Sequence, residues 1–151
     1  MKKIIIAVDY NPAAEKVIQT GYIIAKAMGA EVMLIHVFTE PAYYALEFSP
    51  ITGYQGGFGE GTANMVQDIK KEAERFLAEA VDRIGDRSIK TMLLEGETTT
   101  AILKCCKDWD ASMIVMGSHS HHGIQRLLVT DIAAYILKHS KIPLLAIPTG
   151  E

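Results

Sequence analysis

Lys3-Ile4-Ile5-Ile6-Ala7-Val8-Asp9-Tyr10-Asn11-Pro12 is the stretch whose reading decides the fold. Ile4 to Val8 are apolar without a polar alternate. Such a run suits a strand buried on both faces, as in a parallel sheet covered by helices. Asn11 then offers an N-cap oxygen, and Pro12 suits the first helical position, so a helix is expected to begin there. Val17, Gly21, Ile24, Ala25 and Met28 recur at helical spacing, and Gly29 supplies the stop.

Outward from that unit the alternation repeats. Glu31 to Val37 holds the buried run Val32-Met33-Leu34-Ile35 and reads as a second strand. Phe38 to Gly61 has no clear period and carries Tyr43, Tyr44, Phe48, Tyr54 and Phe58. A loop of that length reads as functional or mobile, or as a flap packed on the surface or a partner subunit. Thr62 is expected to cap a helix with the stripe Met65, Ile69, Ala73, Phe76, Leu77, Ala80 and Ile84, ended by Gly85. Ser88 to Leu94 reads as the third strand and Glu95-Gly96 as a turn. The next helix begins near Thr98 to Thr100 and turns Ile102, Cys105, Cys106 and Trp109 inward. Ser112 to Met116 is the fourth strand. A last helix opens near Thr130 with Ile132, Ala133, Ile136 and Leu137 on one face, and Leu144 to Ile147 closes the series as a strand.

This order implies one domain over residues 1–151, a five-stranded parallel sheet with right-handed crossovers and helices on both faces. Ligands in such sheets bind at the carboxyl ends of strands where the strand order reverses. Asp9, His36-Val37 and Met116-Gly117 should therefore share one rim.

The composition excludes several classes. With 151 residues the chain can bury a core without staples, and at 49% hydrophobic and 22% charged it reads as globular. Net charge is −3 without a basic run, which argues against nucleic acid. The apolar start is too short to span a bilayer, and Asp9 follows at once with no cleavage signature, so a cytoplasmic protein without membrane contact is expected. Cys105 and Cys106 are adjacent, which suits neither a metal site nor a disulfide; at least one should be a small core residue.

The segment that could carry chemistry runs from Gly117 to Asp131, where a buried strand ends in glycine, a polar loop follows and a helix begins. His119, His121 and His122 invite a metal, but a closed site needs about four ligands and no nearby acid or cysteine pattern completes one. Exposed loop histidines are the favoured reading and no metal is assigned. His36 and His139 stand alone and are assigned no chemistry. Arg126 suits a phosphate, another subunit or a surface ion pair. No nucleophile elbow or Walker pattern occurs, so no catalytic residue is assigned and the chain is not expected to be an enzyme.

Met113-Ile-Val-Met-Gly-Ser-His-Ser-His-His-Gly-Ile-Gln-Arg-Leu-Leu-Val-Thr-Asp-Ile-Ala, with Lys3 to Asp9, Leu34-Ile-His-Val37 and Leu94-Glu-Gly96, resembles the universal stress protein A family over essentially the whole chain. The resemblance implies a Rossmann-like, adenine nucleotide alpha hydrolase-like fold. It implies an adenosine site formed by Ala7, Val8, Asp9, Val37, Met116, Gly117, His119, Ser120, Thr130, Asp131 and Ile132. Asp9 would serve ribose or adenine donors, or else simply cap the turn before Asn11. Nucleotide-binding members carry glycine, two residues, glycine, nine residues, then glycine with serine or threonine; here those places are Gly117, Ser120, Thr130 and Asp131. Thr130 is a tolerable N-cap. Asp131 stands where a helix N-terminus attracts anions, is itself stabilised there by about 0.3–1 kcal/mol, and repels a triphosphate.

The leading expectation is a regulatory or stress-response module with an altered, weak nucleotide site. No cofactor is required, and AMP or adenosine is favoured over ATP. A rival is an ATP or AMP sensor whose ligand state changes a dimer or a partner surface. A third is a small metal-dependent hydrolase using Asp131 and the histidine loop, disfavoured by the missing ligand. The resemblance leaves room for slow ATP hydrolysis, though no base is visible. It also implies dimers, and the apolar edge strand Leu144 to Ile147 is expected to pair antiparallel across a two-fold axis.

Overall fold

The computed structural model describes residues 1–39, 60–118 and 132–149, with side chains in the second stretch described from Asn64 onward. In chain order the elements are β1 (Lys3–Ala7), α1 (Ala14–Ala27), β2 (Glu31–Phe38), α2 (Glu60–Ile84), β3 (Lys90–Glu95), α3 (Thr98–Asp108), β4 (Met113–Gly117), α4 (Ile132–His139) and β5 (Leu144–Ile147). The five strands pair in the order β3-β2-β1-β4-β5, every pair parallel. The strand order therefore reverses between β1 and β4, as doubly wound sheets require for a ligand crevice.

Each face of the sheet buries its own cluster. Ile4, Ile6, Val8, Leu34 and Val115 pack against α1 and α2 through Val17, Ile18 and Leu77. Ile5, Ala7, Ile35, Ile114 and Met116 pack against α3 and α4 through Ile102, Cys106 and Ile136. Residues alternate between the faces along each strand, yet both faces are covered, which is why the sequence shows no alternation. At Gly21 the approach of α1 is close enough that a Cβ would lie 2.9 Å from Ile6 Cδ1 and 3.1 Å from Val115 Cγ1.

Several expectations shift. Asn11 does not cap α1. Its Oδ1 accepts from Ala13 N–H at 2.8 Å and its carbonyl from Ala14 N–H at 3.0 Å, so Asn11-Pro12 forms a turn and the helix starts at Ala14. Thr62 lies inside α2, which already includes Glu60. Met65 and Ile69 are 52% and 39% exposed although they continue the apolar stripe. The cause is length: 25 residues of helix reach about 37 Å, against about 26 Å for the eight residues of β2, so the start of α2 overhangs the sheet. Ser88 is not in a strand, because Asp86 Oδ1 takes its N–H at 3.0 Å and its hydroxyl at 2.6 Å, and β3 begins at Lys90. Ser112 likewise precedes β4, whose last residue is Gly117 rather than Met116. Leu137 is 66% exposed, since the short α4 turns Ile132, Ala133 and Ile136 toward the sheet and leaves Leu137 outside. Trp109 is half-buried, with the Lys3 and Lys90 ammonium groups 5.5 and 5.7 Å from its ring centre.

The stops at Gly29, Gly85 and Gly96 and the edge position of β5 are as expected. Among the described residues no helix is long and apolar enough to cross a membrane.

Candidate functional site at the carboxyl ends of the strands

Asp9, His36-Val37 and Met116-Gly117 do share one rim. Ala7, the last residue of β1, is in register with Ile35 of β2 and Met116 of β4. Ala7 and Met116 are buried, Val37 and Ile132 half-buried, and all four belong to the cluster between the sheet and α3/α4. An apolar wall thus reaches the rim from β1, β2, β4 and the start of α4. Val8 points the other way, into the cluster under α1 and α2, so only its backbone can face a ligand beside Ala7. Asp9 is half-buried, and the turn after it is closed by its own carbonyl, which accepts from Asn11 N–H at 2.9 Å.

Gly117 pairs with Ile147 at the end of β4. A Cβ there would lie 2.9 Å from Thr149 Cγ2, so the tight packing of the chain after β5 already calls for glycine, independently of any phosphate. Ser118 N–H donates to Ile147 O at 2.8 Å, and Ser118 Oγ accepts from Thr149 N–H at 3.3 Å. The loop leaving β4 therefore starts from a backbone tied to β5. His119, Ser120, Thr130 and Asp131, with His121, His122 and Arg126, lie outside the described residues, as does the segment 40–59.

Sequence reasoning passed over His36. It is 7% exposed, and its Nδ1 lies 2.8 Å from Val8 O. The acceptor is a carbonyl, so Nδ1 must carry the hydrogen. Tyr10 meets the imidazole edge-on, with ring centres 4.9 Å apart, and Phe76 of α2 lies 4.7 Å from Tyr10. Partial burial, then the Glu72 charge, raise the Tyr10 phenol. The signal was a lone histidine inside a buried apolar strand, where a polar group needs a partner.

At the start of α3 the cap is Glu97, one residue before the expected threonines. Its carboxylate accepts from Thr99 N–H at 3.0 Å and Thr100 N–H at 2.8 Å, and Thr99 Oγ1 adds a bond. Burial opposes ionisation of Glu97, but the bonds from Thr100 and Thr99 prevail and hold it at about 2. This helix end is thus satisfied by the chain's own carboxylate. Burial pushes up both thiols, Cys106 to about 12, as suits buried core residues. Among the described residues no three potential metal ligands come together.

A parallel sheet whose order reverses between β1 and β4, with crossover helices on both faces, defines a Rossmann-like α/β protein. The sequence model of the universal stress protein family matches residues 1–148, and the chain belongs to that family. It is similar to universal stress protein A homolog 1 of Coxiella burnetii, at 29% identity over 84% of this chain and 83% of that one. The universal stress protein UspA from Lactobacillus plantarum shares the fold, with a TM-score of 0.70 at 15% identity over 97% of each chain. So does the universal stress protein from Archaeoglobus fulgidus in complex with dAMP, with a TM-score of 0.61 at 19% identity over 97% of this chain and 98% of that one.

Proposed function

We propose that this chain is a regulatory stress-response protein, one domain over residues 1–151, with an altered and weak adenine-nucleotide site at the carboxyl rim. The observation that carries the reading is the gathering of Ala7, Val37, Met116 and Ile132 on one face of the sheet, with Asp9 two residues beyond Ala7. An apolar wall suits a purine, and a carboxylate at its edge suits ribose hydroxyls. The A. fulgidus relative in complex with dAMP supports the same ligand class. Ser120, Thr130 and Asp131 replace groups that a triphosphate needs, so ligands with fewer charges are preferred.

The test is thermal melting with ATP, AMP, dAMP and adenosine, since a ligand of the folded state raises stability by RT ln(1 + [L]/Kd). AMP, dAMP and adenosine should shift the melting temperature more than ATP at equal concentration. Asp131→Ser should tighten ATP by up to about tenfold, or about 1.4 kcal/mol. A clear shift of the wild type with sub-millimolar ATP would overturn the preference for smaller ligands.

The bonds from Ser118 N–H to Ile147 O and from Thr149 N–H to Ser118 Oγ favour a second reading, in which ligand state is felt at an antiparallel β5 contact between two copies. Light scattering at micromolar concentration with and without AMP tests it. A monomer under both conditions removes this reading and leaves the first.

A further inference from the structure

We infer that His36 is a positioning residue for the carboxyl rim: its imidazole sets the orientation of the Val8–Asp9 peptide and so presents Asp9 to an adenine nucleotide. The inference rests on the nucleotide reading for its ligand, but its geometry stands by itself.

The β1–β2 ladder is regular up to the pair Ala7 and Ile35. Val8 N–H still donates to Ile35 O at 3.0 Å. The Val8 carbonyl is then taken by His36 Nδ1 at 2.8 Å. Both polar groups of Val8 are therefore held by consecutive residues of β2, one through backbone and one through a side chain. The next peptide group is planar and trans, so its carbonyl and its N–H point in opposite directions. With the Val8 carbonyl fixed on the imidazole, the Asp9 N–H faces away from His36, toward the β4 side where the strand order reverses. On the far side, Asn11 N–H on Asp9 O and Ala13 N–H on Asn11 Oδ1 fix how the chain enters α1. Asp9 thus follows a peptide group held from β2 and precedes a turn closed within its own segment.

The imidazole is itself held in place. Val8 and His36 are 8% and 7% exposed, so water does not readily replace the bond. Tyr10 stands edge-on to the ring, and Phe76 backs Tyr10 from α2. A donor at the Nδ1 position is what the role needs. Asparagine places its amide nitrogen at the same reach, whereas phenylalanine keeps the ring contacts and loses the donor.

The experiment compares wild type, His36→Asn and His36→Phe by dAMP titration and by amide hydrogen exchange without ligand. His36→Asn should bind dAMP within about threefold of wild type and His36→Phe at least about tenfold more weakly, with exchange at Asp9 and Tyr10 faster only in His36→Phe. Equal dAMP affinity in His36→Phe and wild type overturns the proposal, and so does an equal loss in both variants. If wild type binds no dAMP, the nucleotide reading fails, and unchanged exchange in His36→Phe would overturn the positioning role separately. Should His36→Phe not fold, the nitrogen NMR shifts of His36 in wild type decide. Hydrogen on Nδ1 supports the proposal, and hydrogen on Nε2 alone overturns it.

Discussion

At the amino end of the sheet, Tyr22 and Lys26 of α1 and Ser88 converge on the Asp86 carboxylate, at 2.8, 3.2 and 2.6 Å. Lys90 pairs with Glu31 nearby, and Lys3 reaches the Trp109 carbonyl at 3.1 Å. At the carboxyl end Lys70 of α2 pairs with Glu95 of β3, and beside that ion pair side chains hold peptide groups. His36 holds the Val8 carbonyl, Ser118 accepts from the Thr149 amide, and Glu97 caps the Thr99 and Thr100 amides. The amino end centres on one carboxylate near solvent that gathers three side chains, whereas at the carboxyl end His36, Ser118 and Glu97 each fix a peptide group. Charge pairs near water add modestly and tolerate movement. A side chain bound to a peptide group fixes the path of the chain where it leaves a strand or enters a helix.

The largest effect that would break this comparison is expected at Gly117. Gly117→Ala should destabilise the protein by about 1–3 kcal/mol through overpacking on Thr149, read by chemical denaturation. Adding Thr149→Ser removes Cγ2 and should restore most of that loss. If stability returns but dAMP affinity does not, the glycine serves the ligand as well as the packing; if stability does not return, the packing account is wrong.

Loss of the α3 cap comes next. Glu97→Ala should cost about 1 kcal/mol, the usual worth of an N-cap. Because the Glu97 carboxyl is held at about 2, its contribution is complete above the ordinary glutamate value and fades as the pH falls from there through about 2. Denaturation at pH 7 and pH 3 should show a smaller gap between wild type and Glu97→Ala in acid, and an equal gap would sink the assignment.

The amino end sharpens the contrast by its acid response. The bonds from Ser88 and Tyr22, then Lys26, hold the Asp86 carboxyl well below the ordinary carboxylate range. A lowered value means stability that is present at neutral pH and lost as acid protonates the group. Asp86→Asn should flatten the stability profile below about pH 4, and an unchanged slope there would show that the network is not coupled to folding.

The smallest effect separates two helix ends built alike. After α1, Gly29 takes φ 61° while Ala30 N–H reaches Ala25 O at 2.9 Å. After α3, Asp110 takes φ 56° while Ala111 N–H reaches Cys106 O, also at 2.9 Å. A left-handed conformation suits glycine and strains aspartate, so Asp110→Gly should stabilise by about 0.5 kcal/mol once the greater freedom of unfolded glycine is counted. A lower melting temperature in that variant would mean that the Asp110 side chain supports the turn.

Much of the architecture was legible because it is written locally. The unbroken run Ile4 to Val8 announces a strand covered on both faces, Gly29 and Gly85 end helices, and Leu144 to Ile147 falls at the sheet edge as its place in the order implies. The family pattern around Gly117 located the rim. Element starts were less legible: Asn11 and Thr62 are good caps by type, but a turn and an overhanging helix left neither in that role. Met65, Ile69 and Leu137 are apolar at helical spacing and still exposed, because the spacing gives a stripe and not the length of sheet beneath it.

The sequence by itself determined the parallel α/β class, the order of its elements and the rim on which Asp9, Val37, Met116 and Gly117 meet. Only the tertiary structure decided what those residues do to one another. It paired His36 with Val8, 28 residues apart, and Ser118 with Thr149, 31 residues apart. It also turned Gly117 into a packing requirement. Periodicity and capping act over a few residues, whereas these contacts form only after crossover connections bring distant strands side by side, so no local pattern encodes them.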